Sequence, residues 1–141
     1  MSRSFHIRVP CTSANIGPGF DVVGLSLSLY LFLDVTIEAD APHMDPVLTY
    51  SGQGAADAPL NPYQNLITRV ALYVMRVNDI KSFPRGVRIH VRNDIPFGRG
   101  LGSSGAAVIA GLLLGNELGQ LHIDRCLLYT SDAADDMQCV D

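Results

Sequence analysis

The sequence predicts an α+β fold in which helices cover a mainly antiparallel sheet. Three observations carry that prediction. Two short stretches alternate strictly between apolar and polar residues, Phe5/Ile7/Val9 and Val87/Ile89/Val91. Two longer segments, Asn65 to Asn78 and Ala106 to Leu118, have the length and apolar patterning of helices. The order of elements then reads strand, one or two strands, helix, strand, loop, helix.

The first strand carries Phe5, Ile7 and Val9 on one face, His6 and Arg8 on the other, and is stopped by Pro10. From Leu25 to Ile37 the odd positions are mostly apolar, and β-branched residues gather at Val35-Thr36-Ile37, which predicts one or two strands. Ala41 to Pro62 holds four of the eight prolines together with Gly52 and Gly54, and reads as a surface excursion. The first helix spans Asn65 to Asn78, with Leu66, Val70, Tyr73, Val74 and Val77 marking one apolar face. Pro84-Arg85-Gly86 turns the chain into the strand of Val87, Ile89 and Val91, whose alternate residues Arg88, His90 and Arg92 predict burial of one face only. Ala106 to Leu118 is apolar nearly all round, the mark of a helix buried on most sides, with Gly119 as its C-cap.

Composition narrows the function classes. At 141 residues the chain suits one domain with a real core. Ten basic against fourteen acidic residues give a net charge of −4, which excludes a generic nucleic-acid binder. With 48% hydrophobic and 17% charged residues the chain is globular. The apolar segment between Asp21 and Asp34 is twelve residues long, against roughly twenty for a membrane span, so it reads as core. Cys11, Cys126 and Cys139 are isolated and fit neither a zinc site nor a disulfide framework. The N-terminus lacks the apolar block of a secretory signal. A cytoplasmic protein is the expectation.

The strongest chemical signal is Pro96-Phe-Gly-Arg-Gly-Leu-Gly-Ser-Ser-Gly-Ala-Ala107, which sets glycines and two serines immediately before a buried helix. Glycines let backbone approach a ligand closely, and the first turn of a helix offers unpaired amides at the positive end of its dipole. Together these make a cradle for phosphates. Serine is also a common cap in any helix, but so many glycines are wasteful in a mere turn. The loop is not a Walker A motif, because the only lysine is Lys81. Gly100-Leu-Gly102-Ser-Ser-Gly105 does satisfy the dinucleotide pattern, and Asp124 follows at a suitable distance. Such a fold needs a strand apolar on both faces that runs straight into the first glycine. Here seven residues separate Arg92 from Gly100, and every second strand residue is Arg or His. A hydrolase nucleophile elbow fails as well, since Ala106 stands where glycine is required.

A second polar loop, Pro10-Cys-Thr-Ser-Ala-Asn-Ile-Gly-Pro-Gly-Phe-Asp-Val-Val-Gly24, lies between the first strands. Asn15 supplies donor and acceptor and Asp21 a carboxylate, a pairing suited to a small zwitterion. The same residues also serve in ordinary turns.

Taken together, the two loops resemble the GHMP family of small-molecule kinases. Pro96 to Ala106 is similar to that family's P-x-x-x-G-L-G-S-S-x-A loop. Ser13 to Gly24 resembles the branch that phosphorylates L-homoserine, Pro96 to Ala107 and Gly115-Asn-Glu-Leu118 resemble its fungal form, and the similarity runs from about Phe5 to Asp124. The resemblance implies ATP and Mg²⁺ as cofactors and transfer of the ATP γ-phosphoryl group to the hydroxyl of L-homoserine, an early step of threonine synthesis. It implies an ATP site at Pro96, Gly98, Arg99, Gly100, Leu101, Gly102, Ser103, Ser104, Gly105 and Ala106, with Ser104 as Mg²⁺ ligand. Asn65 matches an asparagine near the adenine, although a helix N-cap explains it as well. Asn15 and Asp21 match homoserine contacts, and no catalytic base is assigned. The partners implied are L-homoserine and ATP, with neither nucleic acid nor membrane; a homodimer is left open. Another small-alcohol kinase of the family, or a non-catalytic nucleotide-binding fragment, is the alternative.

The pattern breaks near the end. Residues 1–125 read as the family's N-terminal ATP-binding domain, without the second domain of the longer family members. Residues 126–141 have no helical stripe and lack the family's Glu and Asp-Asn, with only Asp135 and Asp136 near the right place. That tail reads as foreign, and the chain is expected to have low activity or none.

Overall fold

A computed structural model describes residues 2–10, 29–95 and 103–123. Four strands form one mixed sheet: β1 (Ser2–Pro10), β2 (Tyr30–Glu38), β3 (Val47–Gly52) and β4 (Val87–Asn93). Two helices, α1 (Leu66–Val77) and α2 (Ser103–Leu118), pack together over one face, and a short 3₁₀ turn covers Ala55–Asp57. The spatial order is β1-β2-β4-β3. β1 runs antiparallel to β2, and β2 antiparallel to β4, while β3 lies parallel to β4. Two of the three pairings are therefore antiparallel, as the sequence predicts.

The alternating patterns place the core as expected. Ile7 and Val9 of β1, Leu31, Leu33 and Val35 of β2, and Val87, Ile89 and Val91 of β4 all point to the helices and are buried. Their neighbours Arg8, Asp34, Arg88 and Arg92 are exposed on the opposite face. Among the described residues, no helix is long and apolar enough to cross a membrane.

Two expectations need correction. The stretch 41–62 is not simply a surface excursion: it contains β3, whose Leu48 enters the core and whose Tyr50 packs against it. Parallel pairing with β4, reached through α1, supplies order that the prolines and glycines of this stretch conceal. Secondly, the apolar face expected on α1 is only partly the one turned inward: Val74 is buried and Val70 meets α2, but the other expected residues are not buried. Ile67, Thr68, Ala71, Leu72, Val74 and Met75 are buried, whereas Leu66, Tyr73 and Val77 are exposed, the last two by 69% and 64%. The buried face sets the small Ala71 and Thr68 among Ile67, Leu72, Val74 and Met75, and α2 meets it with glycines. A Cβ added at Gly111 would lie 2.6 Å from the Ile67 carbonyl oxygen, and one at Gly115 would lie 2.7 Å from that of Ala71. The glycines let the two helix backbones approach closely here.

α2 ends in a Schellman motif. The Leu121 amide donates to the Asn116 carbonyl at 3.0 Å and that of Gln120 to the Glu117 carbonyl at 3.2 Å, with Gln120 at φ 50°. Gly119 is the C-cap, as expected, and the left-handed residue is the one after it. Asn116 adds a two-way clamp on Ile123, donating to its carbonyl at 3.2 Å and accepting from its amide at 2.8 Å.

Candidate nucleotide site

Three strands, both helices and the 3₁₀ turn converge on one cleft of about 180 Å³. Leu31 of β2 and Ile67 of α1 give it apolar walls, and Ala107 brings in the first turns of α2. Ala58, Pro59 and Leu66 form its rim, while Tyr50, Asn65, Asn93 and Asp57 are its polar residues. A largely apolar slot with a few polar groups, beside a helix start, suits a flat heteroaromatic base carrying an anionic tail.

Asn65 is the N-cap of α1 and is buried. Its Oδ1 accepts from the Ile67 amide at 3.0 Å, and its Nδ2 donates to the Pro59 carbonyl at 3.0 Å and to the Tyr50 hydroxyl oxygen. Thr68, also buried, donates to the Pro62 carbonyl at 2.5 Å. These bonds tie the rim segment 58–65 to the start of α1, so the cleft wall is built by the same contacts that start the helix. Burial raises the Tyr50 phenol above its ordinary value near 10, and the Asn65 hydrogen bond opposes this to a smaller extent.

Asn93 ends β4 on the inward face, where the alternation of Val87, Ile89 and Val91 would place an apolar residue. Its Oδ1 accepts from the Ile95 amide at 3.0 Å, and its Nδ2 donates to the carbonyls of Ile95, at 3.0 Å, and Gln53, at 3.2 Å. The Gln53 amide in turn donates to the Asn93 carbonyl at 2.7 Å. This knot joins the ends of β3 and β4 where the chain leaves toward the glycine-rich segment, and it fixes that segment's point of departure.

Of the site residues expected from sequence, Asn65 lies in the cleft and Ser103 and Ser104 open α2. Gly105 is half-buried, and Ala106 is packed in the core while its neighbour Ala107 lines the cleft. Asn15, Asp21, Pro96, Gly98, Arg99, Gly100, Leu101 and Gly102 lie outside the described residues, as do the three cysteines, Asp124 and the tail 126–141. Tyr50 and Asn93 were not expected. A polar residue breaking a clean β alternation was the available signal for Asn93, whereas Tyr50 sat in a stretch with no periodic pattern.

An α+β domain with a base-sized cleft beside the start of a glycine-preceded helix defines a class of nucleotide-binding domain. The chain belongs to the GHMP kinases: residues 65–135, half of the chain, match the profile of the GHMP kinases N terminal domain. Among curated relatives, the homoserine kinase of Saccharomyces cerevisiae is 53% identical over 91% of this chain and 40% of its own length. That of Candida albicans is 55% identical over 86% of this chain and 35% of its own. The solved structure of a Listeria monocytogenes protein assigned as a homoserine kinase superposes with a TM-score of 0.56 at 34% identity, covering 86% of this chain and 38% of that one. A homoserine kinase from Cytophaga hutchinsonii shares the fold, with a TM-score of 0.64 at 20% identity over 94% of this chain and 40% of its own. The chain thus spans well under half the length of these relatives.

Proposed function

We propose that this chain is the ATP-binding part of a kinase that transfers the γ-phosphoryl group of ATP to the side-chain hydroxyl of L-homoserine, giving O-phospho-L-homoserine. The observation that carries the reading is the cleft itself, an apolar slot bounded by the starts of α1 and α2 in a chain of this family. The names of the relatives with 53% and 55% identity supply the acceptor. In this reading the base sits between Leu31, Ile67 and the Pro59 rim, with Asn65 beside it. The phosphates extend toward the start of α2, where the amides of Gly98 to Gly105 and the helix dipole offset their charge. Asn15 and Asp21 hold the amino acid. Its hydroxyl oxygen forms the new bond to the γ-phosphorus, the bond to the β,γ-bridging oxygen breaks, ADP leaves, and the hydroxyl proton passes to solvent. Positioning and charge stabilisation are the main contributions such a transfer needs from the protein.

For Mg²⁺, the described residues contain no group of three or more His, Cys, Asp or Glu side chains able to hold a metal. The role proposed for Ser104 therefore rests on the family's loop alone, and no step is drawn through the ion. A cytoplasmic setting is proposed on the isolated thiols Cys11, Cys126 and Cys139.

The test is calorimetric titration of the chain with ATP, followed by ADP release in the presence of L-homoserine and of a panel of other small alcohols. Saturable ATP binding with slow ADP release that depends on L-homoserine is expected. Release with another alcohol but not with L-homoserine contradicts the proposed acceptor. Binding without any release reduces the chain to a nucleotide-binding module, and absence of binding overturns the whole reading.

A further inference from the structure

The hydrogen bonds around Asn65 limit what that residue can offer a ligand. The Ile67 amide can only donate and the Pro59 carbonyl can only accept, so together they fix which end of the Asn65 amide faces which way. Both Nδ2 protons are then used, one on Pro59 and one on the Tyr50 oxygen. Asn65 keeps acceptor capacity only. Tyr50 is in the opposite position: its oxygen accepts from Asn65, and among the described residues nothing accepts its proton. Tyr50 also lines the cleft.

We propose that the Tyr50 hydroxyl, held by Asn65, is the cleft's hydrogen-bond donor to a ring nitrogen of the bound adenine, and so a specificity-determining residue. This rests on the reading of the cleft as an ATP site. A donor fixed in a half-buried wall rewards a base that presents an acceptor at that point, and penalises an isostere that presents C–H, because the phenol proton is then left unpaired. Burial acts in the same direction by keeping the phenol protonated well above neutral pH. Asn65 is the positioning residue, since without its N–H the phenol has no fixed orientation.

The test uses the 141-residue chain, titrated with ATP and with 1-deaza-, 3-deaza- and 7-deaza-ATP, each of which replaces one ring nitrogen by C–H. One of the three is expected to bind the parent chain about tenfold more weakly than ATP, the size of one lost hydrogen bond. A Tyr50→Phe chain should bind ATP about tenfold more weakly and be indifferent to that same analogue. If all three analogues bind the parent as ATP does, the assignment is overturned without recourse to any variant. It is equally overturned if Tyr50→Phe weakens ATP and every analogue alike, which is the mark of a merely structural role. Failure of the parent to bind ATP overturns the underlying reading of the cleft, a separate result.

Discussion

A Gly111→Ala chain is expected to unfold at lower urea than the parent, with a loss of about 2–3 kcal/mol. In a solvated helix the same exchange stabilises by about 1 kcal/mol, because alanine is the better helix former. The sign reverses here for a geometric reason. The added Cβ would lie 2.6 Å from the Ile67 carbonyl oxygen and 2.6 Å from the Val70 Cβ, and both belong to the adjoining helix. The carbonyl cannot swing aside as a flexible side chain would. α1 and α2 must therefore separate, and the contacts along Ala71 and Gly115 loosen with them. Gly115→Ala should show the same sign, since its Cβ would meet the Ala71 carbonyl oxygen at 2.7 Å and the Val74 Cβ at 3.0 Å. Because Ile67 and Ala107 of these helices also line the cleft, ligand affinity should fall along with stability. An unchanged or raised urea midpoint for Gly111→Ala would contradict the helix contact described here.

Gly86→Ala should cost about 3 kcal/mol or more, read as a shift of the urea midpoint at constant slope. Two effects act at once. Gly86 has φ 79°, a region that costs an L-residue about 1–2 kcal/mol. Its added Cβ would also fall 1.8 Å from the Glu38 carbonyl oxygen. The clash lies where β2 ends and β4 begins: the Glu38 amide donates to the Gly86 carbonyl at 3.0 Å, and the Gly86 amide donates to the His43 carbonyl at 3.1 Å. Relieving the overlap breaks those bonds and disturbs the register of the central pair β2 and β4. A loss of only about 1–2 kcal/mol would mean that the turn adapts, and that φ alone sets the cost.

The sheet was legible where one face meets the core and the other meets solvent, because period-two alternation records that difference directly. β1 and β4 are of this kind, and so is β2 along Leu31, Leu33 and Val35. β3 was not legible: only Leu48 among its residues is buried, and its partner strand lies beyond a whole helix in the sequence. α1 was located correctly but its inward stripe only in part: Val74 is buried as expected, whereas Ile67, Leu72 and Met75 fill the core in place of Leu66, Tyr73 and Val77. The glycines on α2 let the two helix backbones close over that stripe, a property of two helices jointly. The site followed the same division. The glycine-rich loop and Asn65 are visible as local motifs, whereas Tyr50 gains a role only because β3 pairs with β4 and brings it beside Asn65. Asn93 announced itself by breaking an otherwise apolar face, and its meaning came from two hydrogen bonds with Gln53 that join the ends of β3 and β4 and two with Ile95 that hold the chain leaving β4.

Amide chemical-shift mapping of the ¹⁵N-labelled chain with a non-hydrolysable ATP analogue tests whether the cleft holds the nucleotide. Saturable shifts are expected at Tyr50, Ala58, Asn65, Leu66, Asn93 and the first turns of α2 around Ala106 and Ala107. The outer sheet face around Asp34 and Arg88 should stay unchanged. Shifts confined to that outer face, or none at saturating analogue, would contradict the assignment of the cleft to the nucleotide.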